Sequence, residues 1–310
     1  MVDCCAPILG PSGATTVVRL FLGPGDLPTP AHTGTVTDDP RRELAEFLRT
    51  RRTRLRPEDV GLEPGPRRRV AGLRREELAL LAGVSTDYYQ RMEQGRDVRP
   101  SDQVLDALAR ALVFSAEETR HLHSLAAAAR TPAPPRRHTP EEVPDTTLRL
   151  LRTTTSPALV VGRFLDVLAW NPLAGALLDG FTTLPERNLL ARLLHPEADR
   201  TCPDRAATVA ELTAMLRAQV AAEPGHPRAA ELVGELAVSS DEFATLWARH
   251  DVEETTRGRM RLFHPLVGEL NLDWDAYPMP GAPGPMLIVY TAREGGPDDE
   301  RLRLLAGLLG

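Results

Sequence analysis

The sequence predicts two joined folds: an all-α N-terminal domain of five helices, and an α+β C-terminal domain built on an antiparallel sheet of about five strands. Three observations predict it. Five apolar patterns of helical period follow one another from Arg41 to Ala128. The segment Thr131–Pro144, with five prolines, then interrupts the chain. Beyond it, short apolar runs of strand length return, two before a block of helical patterns and three after it. A length of 310 residues suits two cores rather than one. The expected divisions are an extension at 1–39, the helical domain at 40–130, a linker at 131–145 and the mixed domain at 146–310.

Taken in order, residues 1–39 are rich in Pro, Gly and Thr without periodicity, and read as a disordered extension or as sequence translated from an early start codon. Helix patterns follow at Arg41–Arg52, Arg75–Ala82, Ser85–Gln94, Ser101–Leu112 and Ala116–Ala128, the first two separated by a Pro/Gly/Arg loop at Arg56–Gly72. In the second half Thr146–Thr153 reads as helix, and Ala158–Gly162 with Leu165–Trp170 as a hairpin. Pro172 suits the first position of a helix running to Leu178. Helical patterns recur at Pro185–Leu194, Ala206–Ala222, Pro227–Leu236 and Ser240–His250. Strand-like stretches at Glu254–His264, Leu266–Tyr277 and Pro285–Arg293 precede a last helix, Asp298–Leu309.

Composition narrows the function classes. No apolar run approaches a membrane span. Three cysteines, Cys4, Cys5 and Cys202, argue against a disulfide scaffold or a four-cysteine zinc site and favour a reducing cytoplasm. The N-terminus lacks the basic stretch of a signal peptide. The formal charge of −6 hides an asymmetry. Residues 41–75 hold 12 Arg against 5 acidic side chains, whereas residues 141–310 hold 16 Arg against 25. A basic N-terminal unit joined to an acidic one is the electrostatic layout of a DNA-reading module attached to something else, although chance variation of surfaces gives the same totals.

The run Arg75–Gly95 meets the requirements of a helix-turn-helix. Ala79 is the small residue needed where two helices cross, Gly83 tolerates the left-handed turn and Ser85 caps the second helix. Leu78, Ala82, Val84, Tyr89 and Met92 fall at inward positions, and Gly95 stops the second helix. Residues 41–127 resemble the five-helix DNA-binding domain of Xre-type, lambda-repressor-like regulators. Gly72–Glu77, Gly83–Ser85 and Tyr88–Arg96 resemble one actinobacterial subgroup, the MmyB-like regulators. Arg74 departs from the wider class, in which Ser or Thr caps the first helix of the motif.

Position then assigns roles in binding operator DNA. Ser85, Thr86, Asp87, Tyr88, Gln90 and Arg91 lie on or beside the leading turns of a recognition helix. Arg91 suits guanine O6 and N7, and Gln90 suits adenine. Asp87 either accepts from cytosine N4 or stabilises the helix N-terminus. Tyr89 reads as core, and Tyr88 as core or contact. Arg75 and Arg96 flank the motif as phosphate partners. Arg67, Arg68 and Arg69 reach the DNA backbone or form a solvated charge run.

Residues 146–310 resemble the MmyB-like ligand-binding domain, of PAS-like fold, through Thr154–Pro157, Asp166–Ala174 and Arg261–Gly268. The resemblance implies an apolar pocket and a fatty acid effector. Trp170, Leu173, Phe181, Phe263 and Trp274 are expected to line it, with His264 or Arg261 meeting a carboxylate, unless these aromatics are ordinary core. Catalytic patterns are absent: there is no Gly-rich phosphate loop and no Gly-x-Ser-x-Gly elbow. The histidines lack metal-ligand spacing, so neither metal nor other cofactor is expected. The expected function is a non-enzymatic, homodimeric transcriptional regulator that senses an apolar small molecule. The alternative is a regulator whose second domain serves protein interaction or dimerisation without a ligand.

Overall fold

The computed structural model describes residues 39–63, 70–96, 99–130, 141–178, 187–279 and 284–309. Residues 1–38 of the expected extension, Arg67–Arg69, most of the expected linker and Phe181 lie outside the described residues.

Among the described residues, five α-helices form the N-terminal part: α1 (Pro40–Arg54), α2 (Arg75–Ala82), α3 (Thr86–Glu93), α4 (Asp102–Ala111) and α5 (Ala116–Arg130). Four of them begin for a local reason. Asp39 caps α1 by accepting from the Arg41 N–H at 3.0 Å, with Pro40 in the first turn. Ser85 and Ser101 cap α3 and α4 in the same way. Arg74 offers no acceptor, yet the Glu77 carboxylate takes the Arg74 N–H at 2.6 Å and so satisfies the exposed end of α2. The apolar faces of all five helices meet in one core that includes Phe47, Leu48, Leu78, Tyr89, Leu105 and Leu122.

The C-terminal part opens with α6 (Asp145–Thr153), the hairpin β1 (Ala158–Val161) and β2 (Val167–Trp170), and α7 (Pro172–Leu177). Among the described residues, four α-helices follow: α8 (Leu189–Leu194), α9 (Arg205–Ala222), α10 (Pro227–Ser239) and α11 (Asp241–Trp247). The chain then returns to the sheet as β3 (Arg257–His264), β4 (Gly268–Pro278) and β5 (Met286–Thr291), and ends in α12 (Pro297–Gly307). The five described strands form one antiparallel sheet in the order β2-β1-β5-β4-β3.

Strand alternation gives the sheet two unlike faces. One carries Leu159, Val161, Leu262, Leu270, Leu272 and Tyr290 into a core shared with the helices that follow β2. The other is covered near β1 by Leu151 of α6, which packs with Ala158, Val160 and Met279. Toward β3 that second face is charged, with Arg257 opposite Asp275 and Arg259 opposite Asp273.

Asn171 joins these layers. Its Oδ1 accepts from the Ala158 and Ala174 N–H groups at 3.1 and 2.9 Å, and its amide donates to the carbonyls of Thr154 and Ser156. One buried side chain thus caps α7 and ties it to the start of β1. The two parts of the chain also touch. Helix α5 packs on α9, and Ala221 and Val252 join the core of the N-terminal helices.

Candidate DNA-reading face and effector cavity

Helix α3 is held to its neighbours by a buried carboxylate. Glu93 accepts from Arg52 of α1 at 2.5 Å, from Arg75 of α2 at 2.6 Å and from the Tyr89 hydroxyl at 2.7 Å. Arg52 also donates to the Leu73 carbonyl at 2.6 Å. Burial pushes the Glu93 pKa upward, but its three donors outweigh that and hold it below the ordinary value. Tyr89 is driven well above its usual range by burial and by the Glu93 charge.

Both turns of the motif are left-handed at glycine, with φ of +67° at Gly83 and +64° at Gly95. Each forms a double-hydrogen-bond stop. Val84 N–H reaches the Ala79 carbonyl and Gly83 N–H that of Leu80, while Arg96 N–H reaches Arg91 and Gly95 N–H reaches Met92. The outcome is an α3 whose Tyr89, Met92 and Glu93 are buried while Thr86, Asp87, Gln90 and Arg91 form an exposed polar face. Ser85 and Arg96 are exposed at its two ends and Tyr88 is half-buried. Arg75 commits its Nε to Glu93, though its side chain stays 46% exposed.

In the C-terminal part a cavity of about 180 Å³ lies between the inner sheet face and helices α8 and α9. Leu189 and Leu193 of α8, Leu212 and Met215 of α9, Met260 of β3 and Ile288 of β5 are among its walls. Trp274 closes one side, its indole held against Gly258, where a Cβ would lie 2.9 Å from the ring nitrogen. Polar groups also border it: Arg261, with its side chain 44% exposed, is paired with Asp204 at 2.7 Å, and Glu211 has its pKa raised by burial and by Glu253. A larger hollow of about 670 Å³, beside α8 and α10, is bordered by Asp166, Arg187, Arg228, Glu235 and two serines. There Arg228 is already held by Asp166 at 2.8 and 2.9 Å, a polar lining that suits water better than an apolar guest.

Residues 143–305, more than half of the chain, match the family described as MmyB-like transcription regulator ligand binding domain. The chain belongs to this family. Residues 43–122 match a helix-turn-helix domain, so this MmyB-like protein is a DNA-binding regulator carrying a ligand-binding domain. No curated protein matches it. Among the described residues no helix is long and apolar enough to cross a membrane.

The structure redistributes the expected pocket residues of this MmyB-like domain. Arg261 and Trp274 border the cavity. Trp170 lies at the edge of the core, under the Arg187 guanidinium at 5.2 Å and against Gly175, and Leu173 is buried core; neither borders the cavity. Phe263 shares the outward side of β3 with Arg257, Arg259 and Arg261, is 52% exposed and, unlike Arg259 and Arg261, does not border the cavity. His264 does point inward, but Nε2 meets the Ala176 carbonyl at 3.1 Å and Nδ1 accepts from the Leu266 N–H at 3.2 Å. Both ring nitrogens are used, so none remains for a carboxylate.

Four residues escaped the sequence reading. Glu93 and Arg52 lie 41 positions apart, and only the i,i+4 spacing of Tyr89 and Glu93 hints at the network. Asn171 ahead of Pro172 carried a readable cap signal. Arg217 stands within the apolar run of α9 with no sequence sign that it is buried.

Proposed function

We propose that the chain is a dimeric, cytoplasmic, Xre-type transcriptional regulator that reads operator DNA with α3 and takes a fatty acid as its effector. Its proposed division is a DNA-reading domain at 40–130, a linker at 131–145 and the effector domain at 146–310. The bases are read by Thr86, Asp87, Gln90 and Arg91, with Ser85, Tyr88, Arg75 and Arg96 at the margins. The acyl chain lies between the sheet and helices α8 and α9, beside Trp274, with its carboxylate at Arg261.

One observation carries the effector reading: a cavity whose walls include Leu, Met, Ile and Trp side chains, with Arg261, paired to Asp204, among the arginines at its border. An apolar guest is favoured in such walls because water gains few partners there. The cavity volume of about 180 Å³ is below the roughly 300–1,000 Å³ of most ligand sites. Met215, Met260 and Met286 supply walls that adjust easily, since an unbranched thioether repacks at low cost. A carboxylate would compete with Asp204 for Arg261, whose planar guanidinium suits two-point contact.

Titration of the full chain with saturated fatty acids from octanoate to octadecanoate tests the reading. Affinity should rise by about 0.8 kcal/mol per methylene until the cavity is full, and Arg261→Met should weaken every member by a similar factor. A response independent of chain length overturns the acyl effector and favours a domain that binds another protein.

A further inference from the structure

Helix α9 belongs to two sites at once. Thr208, Glu211, Leu212, Met215 and Gln219, spaced along one side, border the effector cavity. Another side carries Arg217 and Ala221 into the N-terminal helices: Ala221 joins their core, and α5 packs directly on α9. Arg217 is 1% exposed, although an arginine is seldom buried without strong partners. Its Nη1 contacts His250 Nδ1 at 3.1 Å and lies 3.6 Å from the Glu43 carboxylate of α1. Its Nη2 donates to the Trp247 carbonyl, and its guanidinium lies 4.0 Å from the centroid of the Trp247 ring.

Arginine only donates, so His250 Nδ1 must be the unprotonated acceptor and the ring neutral. His250 holds a left-handed backbone, φ +55°, a conformation that the surrounding contacts must enforce. The loop it begins extends the bridge. Asp251 pairs with Arg51 and Arg54 of α1, Glu254 pairs with Arg120 of α5 at 2.6 Å, and Val252 packs on the N-terminal core. Between those contacts Glu253 faces Glu211, a cavity residue that also bonds Thr255. The same loop then enters β3, where Arg259, Met260 and Arg261 border the cavity.

We infer that α9 and the loop 248–256 couple the effector cavity to the DNA-reading domain, with Arg217 as the latch between Glu43 of α1 and His250. The inference rests on the cavity being the effector site. A guest that shifts α9 away from or toward the sheet necessarily shifts Arg217 and Ala221, which are built into the packing of α1 and α5. The polar face of α3 remains exposed in this docked arrangement. The latch therefore sets how the DNA-reading domain is carried, and it does not cover the face that meets DNA. A packed helix with two seatings is a sufficient physical carrier for such coupling.

Hydrogen exchange of the full chain tests this in two arms, using Arg217→Met, which preserves bulk, and Glu43→Gln, which removes only the charge and guards against a folding failure of the first variant. Without ligand, amides of α1 and α5 should exchange about tenfold or more faster in the variants, while those of α12 stay unchanged. Unchanged α1 and α5 amides in both variants overturn the latch. With decanoate as the probe, wild type should gain protection in α8 and α9 and also change in α1 and α5. In the variants the first effect should persist and the second vanish. An equal response of α1 and α5 in wild type and variants overturns the coupling. If decanoate protects nothing around the cavity, the acyl reading of the site fails, and the ligand-free arm alone decides the latch.

Discussion

Single residues decide how tightly the DNA-reading domain is assembled. Glu93 is a buried charge satisfied by three donors, and removing one member of such a set leaves the others unpaired. Glu93→Ala should therefore destabilise the chain by about 3–5 kcal/mol, with loss of the folded N-terminal helices by circular dichroism. His121 presents the opposite case. It is buried against Phe47, with ring centroids 4.9 Å apart, and neither ring nitrogen has a hydrogen-bond partner among the described residues. Burial, reinforced by the Arg217 and Arg51 charges, lowers its pKa from 6.5 to about 3. The folded chain keeps this ring neutral where the unfolded chain protonates it. Unfolding then takes up a proton between about pH 6.5 and 3, so stability declines as pH falls through that window. His121→Leu should flatten the acid-side fall in Tm and recover up to about 2 kcal/mol at pH 5. A Tm difference between variant and wild type that is the same at pH 5 and pH 7 counts against this account.

Elements set specificity. Helix α3 shows Arg91 on an exposed face, stopped by Gly95 and capped by Ser85. Arg91→Ala should weaken specific operator binding by about 1–3 kcal/mol and relax preference at one base pair. Selection of bound sequences with the variant checks it, and an unaltered preference removes Arg91 from base reading. Strand β3 acts on the cavity through a glycine. A Cβ at Gly258 would lie 2.9–3.0 Å from the Trp274 indole, so the ring must move. Gly258→Ala should shift Trp274 fluorescence and lower decanoate affinity, whereas Gly234→Ala on α10, with open space around it, should leave both unchanged.

At the scale of the whole molecule, a single recognition helix covers few base pairs, and a symmetric pair on half-sites one helical turn apart multiplies affinity. Sedimentation of the full chain with a palindromic operator of about 10-bp half-site spacing should give two chains per duplex. One chain per duplex at saturation would remove the dimer. Binding should also weaken steeply with salt, because arginine–phosphate contacts release counterions.

Local rules were legible in the sequence. The helices of the N-terminal part lie within two residues of their expected limits, because caps, glycines and apolar period act over a few positions. Five strands in two groups, with helices between, were equally readable from runs of strand length. The exposed face of α3 followed from the same period. What the sequence did not settle was which side chains meet across long separations. Arg52 and Glu93, Asp204 and Arg261, and Arg217 with Glu43 are brought together by packing, and none of these pairs leaves a periodic trace. The cavity illustrates this best. Aromatic content pointed to Trp170, Phe263 and Trp274; of these Trp274 alone borders it, beside Leu, Met and Ile side chains of α8, α9, β3 and β5 and several charged groups. A void is what neighbouring side chains fail to fill, so its location depends on the mutual placement of helices and sheet, which only the tertiary structure decides.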